Sequence, residues 1–241
     1  RRVRLESDLR QALIDGQLEV AYQPMYNLAS GGLRGFEALA RWRHPLLGEI
    51  APTTFIPIAE ETGLIIELTD QLMMRACKQV KTWQRRSPST TDLKLQFNLS
   101  SNDLAHSALA ERIEHVLVSS QLEARLLTLE LTENILMERV EGAMPALETL
   151  RRIGVSLAID DFGTGYSSLS YLSTLPIDSL KIDRSFVHGM KDGVKDIEIV
   201  RGIISLGTSL GKSIVAEGIE SNSQLGQLRE LCLERAQVHE R

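Results

Sequence analysis

The residues best suited to chemistry in this chain are carboxylates, one amide and one lysine, and they lie at the ends of short apolar runs. In chain order these residues are Glu37, Asn98, Glu130, Asp160 with Asp161, Lys181 and Glu217. A polar residue at one strand end is common and needs no functional explanation. Six such ends in one chain indicate a shared site, because buried carboxylates are costly unless they are paired or bind a metal ion.

The composition of this set favours a hard divalent cation. Four or five crowded carboxylates repel one another, and one lysine cannot neutralise them. Mg²⁺ and Mn²⁺ prefer oxygen ligands, whereas none of the histidines has ligand spacing at a strand end, which disfavours zinc. The adjacent Asp160 and Asp161 can serve two ions about 3.5–4 Å apart, the arrangement used for phosphodiester hydrolysis. The sequence therefore predicts a Mg²⁺ or Mn²⁺ site with two ions and an anionic substrate.

These residues must be positioned by strands that alternate with helices. The predicted strands after the first two are Leu93–Phe97, Leu127–Leu131, Val155–Ile159, Ser179–Ile182 and Ser213–Ala216, each followed by a helical pattern. Such alternation predicts βα units and a parallel sheet. An open sheet concentrates its site at one switch point, whereas a barrel gathers residues from nearly every strand end. Six strand ends favour the barrel.

The two ends of the chain differ from this repeat. Apolar residues four apart predict a lead-in helix within residues 1–16. The strands Leu18–Tyr22 and Leu33–Ala40 follow, and the short link between them favours an antiparallel pair. An eighth strand is expected after Leu233, where the chain stops.

Composition limits the classes of protein to consider. The chain has 241 residues, 43% of them hydrophobic, and a net charge of −5 with its 27 basic residues dispersed. We therefore expect one domain over residues 1–241 and no nucleic-acid polymer as partner. No apolar run approaches the roughly 20 residues of a membrane helix, and Cys77 and Cys232 resemble ordinary reduced thiols. We expect an excised piece of a longer protein that is cytoplasmic, or the cytoplasmic portion of a membrane-anchored one, with no membrane contact in this segment.

Eight ordered motifs resemble those of the EAL family of cyclic-di-GMP phosphodiesterases. They are Tyr22-Gln23-Pro24, Glu37-Ala38-Leu39 followed by Arg41, Phe55-Ile56-Pro57 with the segment 59–63, Asn98-Leu99-Ser100, Glu130-Leu131-Thr132-Glu133, the run 160–165, Lys181-Ile182-Asp183 and the run 216–220. The resemblance implies a modified (β/α)8 TIM-like barrel whose first strand is antiparallel. It also implies hydrolysis of cyclic-di-GMP to linear pGpG.

The resemblance also implies a role for each matching residue. One ion would be held by Glu37, Asn98, Glu130 and Asp160, and the second by Asp160 with Asp161. Lys181 would orient the attacking water, and Glu217 would be the general base or a further metal ligand. The substrate would be contacted by Gln23, Arg41 and Gln237, and Glu133 would anchor the loop Asp161–Ser168. A homodimer, and upstream sensor or GGDEF-type domains in the full-length protein, are the partners it implies.

The sequence departs from the family pattern after Gln237. The residues Val238-His239-Glu240-Arg241 do not match the expected ending, so we expect a truncated eighth strand and an open seam with unpaired backbone groups. This tail is the one feature that supports an alternative function, a weak or inactive EAL domain that acts as a cyclic-di-GMP receptor or a protein-interaction module. A different metal-dependent barrel hydrolase is a third, weaker hypothesis.

Overall fold

The strands of the chain form one curled sheet whose ends meet. The computed structural model describes residues 2–87, 90–165, 169–191, 194–231 and 235–238. Its strands are β1 (Leu18–Asn27), β2 (Leu33–His44), β3 (Gly48–Ile50), β4 (Lys94–Asn98), β5 (Leu127–Thr132), β6 (Ser156–Phe162), β7 (Ser179–Ile182), β8 (Ser213–Ile219) and β9 (Arg235–Val238). The order around the sheet is β1-β9-β8-β7-β6-β5-β4-β2, and β1 also pairs with β2, which closes the ring. The fold is thus the modified TIM-like barrel that the sequence predicted.

Strand direction departs from an ordinary TIM barrel at one position. From β2 through β9 the neighbouring barrel strands are parallel, whereas β1 is antiparallel to both β2 and β9. The antiparallel first strand was predicted from the short link before Leu33, and it is confirmed. The added strand β3 extends β2 as a hairpin outside the ring.

The eighth barrel strand, β9, is short, as predicted, but it pairs on both sides. Gln237 pairs with Met25 of β1, and Ala236 pairs with Ala216 of β8. The prediction of an open seam is therefore wrong along these four residues, because both neighbouring strands supply backbone partners.

Ten helices among the described residues cover the outside of the ring. They are α1 (Arg2–Asp15), α2 (Pro52–Thr62), α3 (Ile65–Arg86), α4 (Ser101–Ala105), α5 (Leu109–Ser120), α6 (Glu133–Ile153), α7 (Leu169–Thr174), α8 (Arg184–Gly189), α9 (Val194–Ser209) and α10 (Asn222–Glu230). Helix α2 was not predicted, because Pro57 inside it breaks the helical pattern. It begins at Pro52, where the missing N–H costs nothing, and Gly63 ends it with φ of 73°.

The main core lies between the ring and the helices. Leu95, Leu129 and Leu157 are fully buried on the outward face of their strands. Helix α3 packs on β4 with a buried apolar stripe that includes Leu72 and Val80, and α6 packs on β5 and β6. Because side chains alternate along a strand, packing these leucines outward turns their polar neighbours into the ring. None of the helices described is long and apolar enough to cross a membrane.

Candidate active site

Six strands of the ring each contribute one predicted site residue to its interior. Glu37 comes from β2, Asn98 from β4, Glu130 from β5, Asp160 from β6, Lys181 from β7 and Glu217 from β8. Several of them lie inside a strand rather than at its end; Glu37, for example, is followed by seven further residues of β2. Most of these strands, though not β4 and β7, are longer than predicted, but the alternation that directs these side chains inward is unchanged.

The amino group of Lys181 lies at the centre of the carboxylates. Its Nζ atom is 2.6 Å from Glu217 Oε1, 2.8 Å from Glu130 Oε2, 3.2 Å from Asp160 Oδ1 and 3.6 Å from Glu37 Oε2. Both Lys181 and Glu130 are fully buried. The structure therefore brings one cation and four carboxylates into direct contact, and we call this group the acidic cluster.

The acidic cluster carries more negative charge than Lys181 can balance. Burial raises the pKa of Glu130 well above its usual range, and the neighbouring carboxylates add to the rise although Lys181 opposes it. The same two effects raise the pKa of Glu217 to about 8. Burial alone would lower the pKa of Lys181, but the four surrounding carboxylates raise it well above its usual range. Without another cation, these shifts favour protons on Glu130 and Glu217 at neutral pH.

The donor atoms of the acidic cluster fit a divalent cation. Ligand oxygens of Glu37, Glu130 and Asp160 lie within 4.8 Å of one another, and so do those of Asp160, Asp161 and Glu217. Glu130 Oε1 is buried without a hydrogen-bond partner among the described residues. An orphaned carboxylate oxygen inside an oxygen-rich group suits Mg²⁺ or Mn²⁺. The side chain of Asn98 donates to Glu37 Oε1 at 2.7 Å, which leaves its amide oxygen available to the same group.

Asp161 lies in a strained backbone conformation beside the cluster. Its φ of 53° falls in the left-handed region that non-glycine residues seldom adopt. Burial and, second, the charge of Asp160 raise the pKa of Asp161 to about 6, and a hydrogen bond with Asp183 contributes. Such strain is common at functional sites. Asp183 was quoted from the sequence only as part of a motif, and its contact with Asp161 gives it a supporting position.

Glu133 connects the start of α6 to the segment after β6. Its buried carboxylate accepts a 2.8 Å hydrogen bond from the backbone N–H of Gly163 and a longer one from Gly165 at 3.4 Å. Gly163 has φ of 99°, and Thr164 Oγ1 donates to the carbonyl of Asp161. These contacts describe residues 161–165 of the predicted loop; residues 166–168 lie outside the described part.

Gln23 and Arg41, two of the three predicted substrate-contacting residues, lie beside the cluster rather than in it. Gln23 pairs with Glu37 across β1 and β2. Arg41 lies four residues beyond Glu37 on the same strand face, and its Nε is 3.8 Å from Glu49 Oε1. Arg41 and Asn98 both line a cavity of about 320 Å³. The backbone of Gln237 pairs in β9, and its side chain lies outside the described part.

A buried polar network that the sequence analysis missed supports the segment after Asn98. Asp103 is fully buried and accepts hydrogen bonds from Thr69 Oγ1 at 2.9 Å, Ser100 Oγ at 2.7 Å and Arg112 Nη2 at 3.1 Å. The spacing of Ser100 and Asp103 is that of a capping box and was the available signal. This network fixes the backbone from which Asn98 projects.

The fold and the site together define a barrel protein with an acidic, metal-compatible centre inside one end of its ring. Comparison with known proteins gives the family. The EAL domain family matches residues 6–237, and the chain belongs to that family.

Two curated relatives and one solved structure are similar over nearly the whole chain. The cyclic di-GMP phosphodiesterase NbdA of Pseudomonas aeruginosa is 43% identical over 95% of this chain and 29% of its own length. MucR of the same organism, a bifunctional diguanylate cyclase/cyclic di-GMP phosphodiesterase, is 41% identical over 92% of this chain and 32% of its own length. The chain thus spans about a third or less of these relatives. The structure of the PaMucR phosphodiesterase in complex with c-di-GMP is 40% identical, with a TM-score of 0.92 over 98% of this chain and 94% of that one.

Proposed function

We propose that this domain is a metal-dependent phosphodiesterase that hydrolyses cyclic-di-GMP to linear pGpG. The observation that carries the proposal is the acidic cluster, in which one buried lysine contacts four carboxylates from four other strands. The relatives named for this activity support the choice of substrate.

The cofactor we propose is Mg²⁺ or Mn²⁺, with two ions. Glu37, Asn98, Glu130 and Asp160 would hold the first, and Asp160 with Asp161 the second. The unpartnered Glu130 Oε1 and the excess of carboxylates over cations support this set. When bound, such ions polarise a phosphodiester and increase the acidity of a water molecule.

Lys181 and Glu217 have complementary roles in the proposal. The pKa of Lys181 is held high by four carboxylates, so it stays charged and donates hydrogen bonds at a fixed point. It therefore suits orientation of the attacking water and not proton abstraction. The pKa of Glu217 is raised to about 8 by burial, which places it near the operating pH, where a general base is most effective.

Substrate contacts are proposed for Gln23, Arg41 and Gln237. Arg41 lines the cavity of about 320 Å³ next to Asn98, and arginine pairs well with phosphate. Glu133 is proposed to anchor the segment from Asp161, which its hydrogen bonds to Gly163 and Gly165 support. The homodimer, the association with sensor or GGDEF-type domains, and the cytoplasmic location remain predictions.

The test is incubation of the purified chain with cyclic-di-GMP and either Mg²⁺ or Mn²⁺, followed by chromatographic detection of pGpG. We expect turnover that EDTA abolishes and that Glu37→Ala reduces by at least about 100-fold, because loss of a metal ligand should cost at least as much as the roughly 10–100-fold loss seen when a residue that supports a ligand is removed. Glu148→Ala, an exposed acid of α6, is the matched control and should retain the wild-type rate. Binding of cyclic-di-GMP without turnover would instead support the receptor function.

A further inference from the structure

A second cavity lies inside the ring at its other end, where the parallel strands begin. Its volume is about 270 Å³, and it is lined by strand residues that include Gln96, Thr128, Ser179 and Ser213. Gln96, Thr128 and Ser179 lie two residues before Asn98, Glu130 and Lys181, and Ser213 lies four before Glu217. Because side chains alternate along a strand, all four point into the ring below the acidic cluster. We call this space the lower cavity.

The lower cavity exists because small polar side chains occupy positions that barrels fill with apolar ones. In a TIM barrel, layers of bulky branched residues such as Val, Ile and Leu pack the interior. Here Thr128, Ser156, Ser179 and Ser213 stand at four such positions. Each hydroxyl both donates and accepts a hydrogen bond, so the wall suits a polar occupant.

Gln96 gives the lower cavity an unsatisfied acceptor. Its side chain is 6% exposed, and its Oε1 atom is buried with no hydrogen-bond partner among the described residues. A buried amide oxygen without a partner costs roughly 1–3 kcal/mol. An occupant that brings a hydrogen-bond donor, such as a hydroxyl group, removes this cost.

The charged residues of the lower cavity favour an anion. Arg34 and Lys94 line it, and Asp178 is the acid among the lining residues. Asp178 Oδ2 already accepts a hydrogen bond from the backbone N–H of Leu157 at 2.9 Å, so part of its acceptor capacity is used. Among the lining residues, two cations stand against one acid, a balance opposite in sign to that of the acidic cluster.

We propose that the lower cavity binds a small oxyanion that also carries a hydroxyl group, of which hydrogen phosphate is the simplest. The oxyanion pairs with Arg34 and Lys94, and its hydroxyl donates to Gln96 Oε1. At about 270 Å³ the cavity is smaller than the roughly 300–1,000 Å³ of sites for drug-sized ligands, so a cyclic dinucleotide does not fit. The site is thus distinct from the proposed catalytic one and does not depend on its activity.

The test is calorimetric titration of the full chain with inorganic phosphate in the presence of EDTA. Removing metal matters because a bound cation at the acidic cluster would itself attract phosphate, whereas the metal-free carboxylates repel it. We expect one saturable site with a Kd of about 1 mM or tighter. Lys94→Gln should weaken binding about tenfold, the loss of one charged hydrogen bond. Lys195→Gln, at an exposed lysine of α9, is the matched control and should bind like wild type.

A second variant separates the cavity from simple surface charge. Ser213→Val narrows the lower cavity and removes one hydroxyl from its wall without changing any charge, and it should also weaken phosphate binding about tenfold. Circular dichroism melting checks that each variant is folded, and Lys94→Gln decides alone if Ser213→Val is not. The proposal is overturned if wild type shows no saturable binding, which would mean that water alone fills the cavity. It is also overturned if folded Lys94→Gln and Ser213→Val bind as tightly as wild type.

Discussion

Replacing Lys181 with methionine removes the cation at the centre of the acidic cluster while keeping most of the side-chain volume. Four carboxylate oxygens lie within 2.6–3.6 Å of Nζ, and in the variant they lie close together with no cation between them. Removing one partner of a buried ion pair costs about 3–5 kcal/mol of unfolding free energy. We expect Lys181→Met to lose stability on this scale near pH 10 in the absence of divalent ions.

The loss should depend on pH, and its sign follows from the pKa values. Lys181 lowers the pKa values of Glu130 and Glu217, which burial has raised, so its removal raises both further. A carboxyl whose folded pKa lies above its unfolded pKa contributes stability below the unfolded value and loses it as pH rises through the folded one. Below about pH 7 the wild type already holds these protons, so the deficit grows only from about pH 8 upward, where wild-type Glu217 releases its proton and the variant retains it. One extra retained proton makes the deficit grow by about 1.4 kcal/mol per pH unit, or about 3 kcal/mol from about pH 8 to 10, which lies within the estimate for the lost ion pair.

The assay is urea unfolding in EDTA, followed by circular dichroism at about pH 7 and about pH 10, on either side of the Glu217 pKa. The control is Lys191→Met, because Lys191 is a half-exposed lysine 3.7 Å from Glu220 and should change stability by at most about 1 kcal/mol. A deficit for Lys181→Met that is the same at both pH values, or below about 1 kcal/mol at about pH 10, would refute the charge balance described for the cluster.

Three further outcomes test other parts of the structure. Saturating Mn²⁺ should raise the melting temperature of wild type by about 5 °C and that of Glu130→Gln by much less, with Glu148→Gln behaving as wild type in a thermal-shift assay. Gly163→Ala should cost about 1–3 kcal/mol in urea unfolding, because its φ is 99° and the new Cβ would lie 2.9 Å from a ring carbon; at Gly142, where a Cβ meets nothing within 4 Å, alanine should be neutral or stabilising. Burial raises the pKa of the Cys77 thiol to about 12, so peptide mass spectrometry should find it unalkylated by iodoacetamide at pH 8.5 in the native protein and alkylated in urea.

The position of the site was predictable because its residues interrupt apolar strands. Glu130 within Leu-Glu-Leu and Lys181 within Leu-Lys-Ile are charges that a buried strand does not tolerate without a partner. The strand pattern alone did not show which groups these buried charges pair with. The sequence places Lys181 on the same end of the ring as the carboxylates, but its contact with all four follows from side-chain geometry, which has no sequence signal.

At the C-terminal strand β9, the sequence led to a wrong prediction. The residues of β9 carry no strong strand pattern, and the mismatch of residues 238–241 with the family ending predicted a truncated strand and an open seam. The backbone of a four-residue strand is held instead by its neighbours, since Met25 on one side and Ala216 on the other already offer hydrogen-bonding groups. Tertiary pairing outweighs local propensity most easily in a short strand, where few residues must be ordered.

The polar side chains inside the ring are of different kinds at its two ends, one of which holds the acidic cluster and the other the lower cavity. At the end with the acidic cluster, the carboxylates around Lys181 leave uncompensated charge, and burial keeps water from solvating that charge. This charge must therefore be balanced by protons on Glu130 and Glu217 or by a bound cation. The protons and the cation compete, because a carboxylate must be deprotonated to bind a metal ion. At the lower end, serine and threonine hydroxyls require no counter-charge, so the same strands remain polar there without competing for cations. Alternation along β5 makes this separation possible, since Thr128 and Glu130 share one face yet lie about 7 Å apart along the strand.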